Sequence, residues 1–558
     1  MFPGDGDEHG AIILAGLAAG PRGPRLLARD LMVAADGVDY VPGETGYRAL
    51  TDDFVNRAID RAEAEGLAYV AAHCHGGIAS VSFSAPDMAS HERAYPAIVQ
   101  MLDRPAGGLV LAREAAVGDV FLPDGTRSKL AEVVVPTRNL LRLRPEPAAP
   151  TRGSDPGYDR QSRLFGPAGQ AALSKMRVAV VGLGGIGSIL VELLGRLGVG
   201  HLVLIDPDKV DPTNLHRLPA ARRLDAMTWL RRDGAPDFAK RLGEVLSTPK
   251  TRLAGRNVRR ASRTVKVTRL RCDVADPRAV KALTQVDWIF LAADTNTARH
   301  VTNAVIQQYL VPGIQVGVSV PVADDGKVGE VHVAIRPLIP GAACQWCQEL
   351  INPSELALEA QPHYVRQQAR YVRDLPAPAV MTLNTIAAGE AANYFMFSSV
   401  ALHTDDVDLD ARTHFPRTRE RDRQSAAARP RCRWCSPAPG SALALGSSRP
   451  VLPSVDARDT RSTQRTASSR NSPLAAPSVA VRGSRRLHRP SWRPDAVRYM
   501  SVDTATQRST ALQGDTRWDG EETARIAENP QLSGRFPRVW QVLGSNQRRL
   551  SRRFYRPP

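Results

Sequence analysis

Long apolar runs are missing from this 558-residue sequence: the best of them, Ala11 to Ala19, falls short of the roughly 18 residues that a membrane-spanning helix needs. No membrane partner is expected. The opening Met1-Phe-Pro-Gly-Asp-Gly-Asp-Glu8 is acidic and lacks the basic start of a secretory signal, so a cytoplasmic location is expected. Cysteine is scarce as well, with six in the chain, too few for a disulfide scaffold. Four of the six stand in two C-x-x-C pairs, which in a reducing compartment read as metal ligands. Lysine is absent from Ser441 to Pro558, where 21 Arg face 9 acidic residues for a net of +12. The preceding residues carry only about +5 of the total of +17, so basicity belongs to the tail and does not imply a nucleic-acid partner.

The length allows about three domains. Residues 1–145 alternate apolar stretches with polar turns, with a helix expected over Asp53–Glu65 and an apolar stretch, Leu67–Ala72, ahead of a His-rich loop. Residues 146–156 have the Pro, Gly and Ser content of a linker. Residues 157–437 open as strand (Val178–Val181), Gly-rich turn, helix (Ile189–Leu197) and strand (Leu202–Ile205), a βαβ unit that implies a doubly wound parallel sheet. Further strands are expected at Val265–Leu270, Trp288–Ala292, Gln315–Val320 and Val328–Ile335. Residues 438–558 dissolve into Ser, Arg, Pro and Thr, a composition expected to stay disordered because it buries too little apolar surface. The ending has the look of out-of-frame translation, which would leave this tail without a selected function.

Gly182-x-Gly184-Gly185-x-Gly187 follows a strand and opens a helix, where backbone N–H groups and the helix dipole can receive a phosphate chain. On its own the motif fits an NAD-binding oxidoreductase equally well, and Asp206 would meet a ribose in either case. The run Asp206-Pro-Asp208-Lys-Val-Asp-Pro-Thr-Asn214-Leu-His-Arg217 decides the matter, because it resembles the D-x-D-x-V…N-L-x-R pattern of the MoeB/ThiF and ubiquitin-activating enzyme family. Tyr158-x-Arg160-Gln161, Pro249-Lys250 and Asp294-x-x-x-x-Arg299 extend that resemblance in order. It implies a Rossmann-like adenylation domain that uses ATP and Mg²⁺ to adenylate the C-terminus of a ubiquitin-like or sulfur-carrier protein with a Gly-Gly-type tail. By the same resemblance Asp294 would hold Mg²⁺, Lys250 and Arg217 would contact the phosphates, Asn214 would orient them, and Arg160 would reach the nucleotide of a second protomer. A homodimer follows from that last role. One departure is an Arg- and Asp-rich insertion, Ala220 to Leu246.

Cys344-Gln-Trp-Cys347 and Cys432-Arg-Trp-Cys435 supply four thiolates at a spacing that suits one structural Zn²⁺, and the family carries a zinc at these places. Gln348 to Val380 contains no cysteine, so the product expected is an acyl-adenylate rather than a thioester. Cys272, at a strand end, reads as a buried small hydrophobe.

In the first domain, His73-Cys-His75-Gly and Ser84-Ala-Pro-Asp87 fit the H-x-H-x₈-S-x-x-D spacing of the MPN/JAMM metalloproteases, with Glu8 resembling the upstream element. That resemblance implies an α/β zinc isopeptidase domain: His73, His75 and Asp87 as ligands, Glu8 as general base and Ser84 as oxyanion donor. Cys74 and Gly76 depart from the pattern, which has Ser or Thr and Pro there. The expectation is thus an adenylyltransferase coupled to zinc-dependent cleavage of the same tail, with a conjugating enzyme or sulfur donor downstream. The rivals are a scaffold that binds ubiquitin-like proteins through an inactive JAMM domain, and an NAD-dependent oxidoreductase.

Overall fold

The computed structural model of the protein describes residues 2, 4–43, 48–146, 156–323, 325–361, 378–405 and 407–447. Nearly all of the expected linker, and the tail beyond residue 447, lie outside the described residues. No described helix is long and apolar enough to cross a membrane.

The first domain is a six-stranded sheet in the order β2-β1-β3-β4-β5-β6, formed by β1 (Gly10–Ala18), β2 (Arg25–Val33), β3 (Ala68–Cys74), β4 (Ala106–Leu111), β5 (Ala116–Phe121) and β6 (Arg127–Lys129). Only β3 and β4 run parallel; the crossover between them is α2 (Ala85–Leu102). Helix α1 (Asp52–Glu65) matches the expected helix to within one residue. Thr51 caps its start, Gly66 in the left-handed region ends it, and Phe54, Ala58, Ile59 and Ala62 form its buried stripe. These side chains meet Ile12, Leu14 and Tyr69 of the sheet in one core. A hairpin, β7 (Val133–Pro136) and β8 (Leu140–Leu143), closes the domain.

The second domain begins with α3 (Asp159–Lys175) and β9 (Arg177–Val181), then α4 (Gly185–Leu197) and β10 (His201–Ile205). Helices α5 (Asp237–Leu246) and α6 (Lys250–Ala261) lead to β11 (Lys266–Leu270), and α7 (Pro277–Leu283) leads to β12 (Trp288–Leu291). Helix α8 (Asn296–Tyr309) and strands β13 (Gly313–Ser319) and β14 (His332–Leu338) follow, then α9 (Pro353–Glu359), α10 (Met381–Ser399), β15 (Ala411–Phe415) and β16 (Glu420–Gln424). The eight strands are ordered β11-β10-β9-β12-β13-β14-β15-β16. From β11 to β13 they are parallel, and the remaining three, β14, β15 and β16, are added antiparallel. The chain leaves β9 toward one edge and returns to β12 on its other side, which opens a crevice at the carboxyl ends of β9, β10 and β12.

Two expectations shift. The strand expected from Val328 starts only at His332, because Gly329 donates its N–H to the Pro321 carbonyl (2.8 Å) and Val328 bridges Val322, so these residues form a hairpin tip. The folded chain also passes the expected boundary at 437. Ala442, Leu443, Ala444 and Leu445 are buried, Ala444 and Gly446 donate N–H groups to the Gln307 and Gln308 carbonyls (2.9 Å each), and Ser447 donates to Leu17 of β1 (2.6 Å). Arg29 of β2 donates to the Leu443 carbonyl (2.6 Å). This strap thus joins the two domains.

Candidate functional site

The Gly-rich loop is shaped by close packing. Gly182 sits at φ +85°, and a Cβ there would lie 2.8 Å from the Ala293 nitrogen beside β12. A Cβ on Gly187 would lie 1.8 Å from the Gly182 carbonyl, so neither position tolerates a side chain. Gly184, the residue before α4, has no protein atom within 4 Å of its Cβ position and offers the helix no side-chain cap. The first turn of α4 therefore faces the crevice with unpaired backbone donors, as an anion site requires.

Asp206, at the end of β10, is buried and accepts the N–H groups of Leu183 (2.6 Å) and Asp208 (2.8 Å). Its carboxylate braces the Gly-rich loop from the end of β10. Burial pushes its pKa up, and Lys250, 3.9 Å away, pulls in the opposite direction. Lys250, the first residue of α6, places Nζ 2.7 Å from Asp208. Asn214 is buried and accepts the Asp211 N–H (3.3 Å), which closes a single helical turn. A cleft of about 410 Å³ gathers Asp208, Asn214, Arg217, Lys250 and Arg231. Arg231, bonded to Asp211, enters from the insertion; no motif marks it in the sequence. Asp294 is exposed just past β12, next to the Ala293 that packs on Gly182. Arg299, the other end of that motif, donates to the Leu350 carbonyl (2.8 Å). Arg160 is exposed on α3, outside that cleft.

Both C-x-x-C pairs meet. The four Sγ atoms of Cys344, Cys347, Cys432 and Cys435 lie within 4.8 Å of one another, and Arg429 and Trp434 donate backbone N–H groups to Cys347 and Cys432 (3.4 Å each). A hydrogen bond with Cys435 holds the Cys344 thiol down to about 6, while burial lifts Cys347 to about 11. Four sulfurs this close, with N–H donors aimed at two of them, suit a tetrahedral divalent cation, and this Cys₄ set fits zinc. Cys272 is buried as expected, and burial raises its pKa.

In the first domain, strand alternation puts His73 and His75 on one face and turns Cys74 inward, where its Sγ accepts the His9 N–H (3.2 Å). The two Nε2 atoms are 3.2 Å apart. Asp87 lies 3.1 Å from His73 and 3.6 Å from His75, and Glu8 lies 3.5 Å from His75. Burial opposes ionisation of Asp87, but hydrogen bonds from His73 and the Ser84 N–H outweigh it and hold its carboxyl well below the usual range. Glu8, His73 and His75 each bring one nitrogen or oxygen atom within 4.8 Å of the others, and Asp87 contacts both imidazoles from the start of α2. Ser84 caps α2: its Oγ accepts the Asp87 N–H (3.3 Å) and its own N–H goes to Asp87 (2.7 Å), a reciprocal box that fixes the Asp87 side chain.

The class defined by the second domain is a doubly wound α/β domain with a Gly-rich loop at its switch point. More particularly, residues 158–397, a stretch short of half the chain, match the ThiF family. An adenylyltransferase and sulfurtransferase, UBA4, from Yarrowia lipolytica is 45% identical over 62 residues, 11% of this chain and 16% of that protein. A tRNA threonylcarbamoyladenosine dehydratase from Haemophilus influenzae is 48% identical over 59 residues, 10% of this chain and 23% of the relative. The chain thus spans less than a quarter of the length of either. Among solved structures, Escherichia coli MccB with ATP has a TM-score of 0.37 at 19% identity, covering 51% of this chain and 75% of that one.

Proposed function

We propose that the second domain activates the C-terminal carboxylate of a ubiquitin-like or sulfur-carrier protein by adenylation. One observation carries this: in a region that matches the ThiF family, the Gly-rich loop after β9 and the segment after β10 that lines the cleft of Asn214, Arg217 and Lys250 both follow the carboxyl ends of parallel neighbouring strands. In the reaction, a carboxylate oxygen of the carrier attacks the α-phosphorus of ATP, the bond to the bridging oxygen breaks, and pyrophosphate leaves. Lys250 and Arg217 would offset the charge on the phosphates, Asn214 would orient them, and α4 would receive the phosphate chain at Gly184–Gly187. Asp294 would hold Mg²⁺, which when bound neutralises phosphate charge. Arg160 would serve the nucleotide of a second copy in a homodimer, and the Cys₄ cluster would hold a structural Zn²⁺. Without a cysteine over Gln348 to Val380, the acyl-adenylate would pass to a sulfur donor or conjugating enzyme. Incubation with ATP, Mg²⁺ and a synthetic peptide ending in Gly-Gly should yield a peptidyl-AMP by mass spectrometry, at least 100-fold less of it with Lys250→Ala. Its absence from the wild-type reaction with every Gly-Gly peptide tested would refute the proposal.

For the first domain we propose a zinc peptidase that acts on bonds to the same kind of tail. The support is the cluster of Glu8, His73 and His75, with Asp87 in contact with both imidazoles. His73, His75 and Asp87 would hold Zn²⁺, which when bound makes water a nucleophile near neutral pH. Glu8 would take the proton from that water. A molar equivalent of zinc beyond that of the Cys₄ site, lost in His73→Ala, is expected by elemental analysis. Glu8→Gln should keep the zinc and lose cleavage of a Gly-Gly-linked isopeptide; retained cleavage would exclude Glu8 as the base.

A further inference from the structure

Helix α10 lies along α4 and meets it with small side chains: Ala387, Ala388 and Ala391 are all fully buried in the shared core. One polar residue breaks this face. Asn384 is 4% exposed, and its Nδ2 is buried without a hydrogen-bond partner. A Cβ built on Gly185 would lie 2.2 Å from that Nδ2, so the amide occupies the very direction in which a side chain at 185 would point. An unpaired buried amide is costly, and alanine serves at neighbouring positions of the same helix. The donor is therefore unexplained by packing alone.

Its position supplies the explanation. Gly185 is the first residue of α4, after Gly184, which gives no side-chain cap, so the amide adds a side-chain donor to a turn whose own N–H groups are unpaired. Helix dipole, backbone donors and amide all favour negative charge at one place. Glycine at 185 leaves room for that amide against the first residue of α4.

We propose that Asn384 is a further phosphate-binding residue of the second domain, reaching past Gly185 to donate Nδ2–H to the triphosphate seated on the α4 turn. The assignment rests on the adenylation reading above. Motif spacing gives no hint of it, since Asn384 lies far downstream in a helix of alanines.

The test is calorimetric titration of the full chain with ATP and, separately, with adenosine. Asn384→Ala is expected to weaken ATP about tenfold and leave adenosine within twofold. Asn384→Asp should weaken ATP further, because a carboxylate there repels phosphate, again sparing adenosine. Asn384→Ser, which keeps a short donor, should fall between wild type and Asn384→Ala and serves if the charged variant does not fold. Equal losses for adenosine and ATP would show a packing role only and overturn the assignment, as would unchanged ATP affinity in both Asn384→Ala and Asn384→Asp. Wild-type protein that binds no ATP would overturn the adenylation reading itself, so the two failures are distinct.

Discussion

Asp225 shows how a single side chain outside every motif can hold the cleft in place. It accepts two bonds from Arg256 (2.9 and 2.7 Å), one from Thr248 Oγ1 (3.0 Å) and one from the Arg222 N–H (3.0 Å). Arg256 is on α6, which starts at Lys250, so the carboxylate ties the insertion to the helix that brings Lys250 to the cleft. Burial acts to raise its pKa, but the Arg256 bonds and the others outweigh it and leave the carboxyl below the usual range. A depressed pKa means stability that is present above the ordinary Asp range, about pH 4, and is lost as the pH falls through the folded value. Asp225→Asn should therefore cost about 1–2 kcal/mol at pH 7, the lower part of the range for a charged hydrogen bond because Arg256 is about one-third exposed. Urea unfolding of both proteins should show that gap closing toward pH 3; a gap independent of pH would contradict the assignment to charge. Gly187→Ala is expected to abolish ATP binding, since its Cβ would overlap the Gly182 carbonyl. Gly187 and the loop around it were legible in the sequence because glycine spacing reports backbone geometry. The buried bracing by Asp206, the entry of Arg231 and the amide of Asn384 were not, because each depends on a contact between segments far apart in the chain.

At the scale of elements, the strap after Cys435 is the feature that composition concealed. Ala442-Leu-Ala-Leu445 lies at the edge of an Arg- and Ser-rich region, yet its backbone bonds to α8 and β1 leave no room for a side chain at Gly16, whose Cβ would lie 2.1 Å from the Ala444 carbonyl. Truncation after 447 should leave the melting temperature within about 2 °C, whereas truncation after 437 should lower it by several degrees. Gly16→Ala should act like truncation after 437. Equal melting of the two truncated chains would contradict a structural role for the strap. The strands β9, β10 and β12 were legible as short, almost continuous apolar runs between turn signals. Strand β1 was harder to assign: its run is apolar on both faces and fits helix and strand alike. Strands β15 and β16, Ala411-Arg-Thr-His-Phe415 and Glu420-Arg-Asp-Arg-Gln424, carry too little apolar alternation to read as strands, and they form only because β14 offers them an edge.

For the whole molecule, two clusters of different chemistry stand in one chain: the cleft of Lys250, Arg217 and Asp208 near the Gly-rich loop, and a cluster of imidazoles and carboxylates. Arg29 and Arg25 of the first domain donate to the Leu443, Thr284 and Tyr309 carbonyls, so the two domains are held through backbone acceptors rather than ion pairs alone. The chemistry proposed for the pair assigns both to one kind of substrate, a protein tail that is activated at one site and cleaved at the other. If so, the sites must be separable by mutation: Glu8→Gln should leave adenylation intact, and Lys250→Ala should leave isopeptide cleavage intact. The most direct test is ATP–pyrophosphate exchange with radiolabelled pyrophosphate, Mg²⁺ and a carrier peptide ending in Gly-Gly. Exchange should require both ATP and the peptide, persist in Glu8→Gln and be lost in Lys250→Ala; exchange absent from the wild-type protein, or undiminished in Lys250→Ala, would contradict adenylation at this cleft.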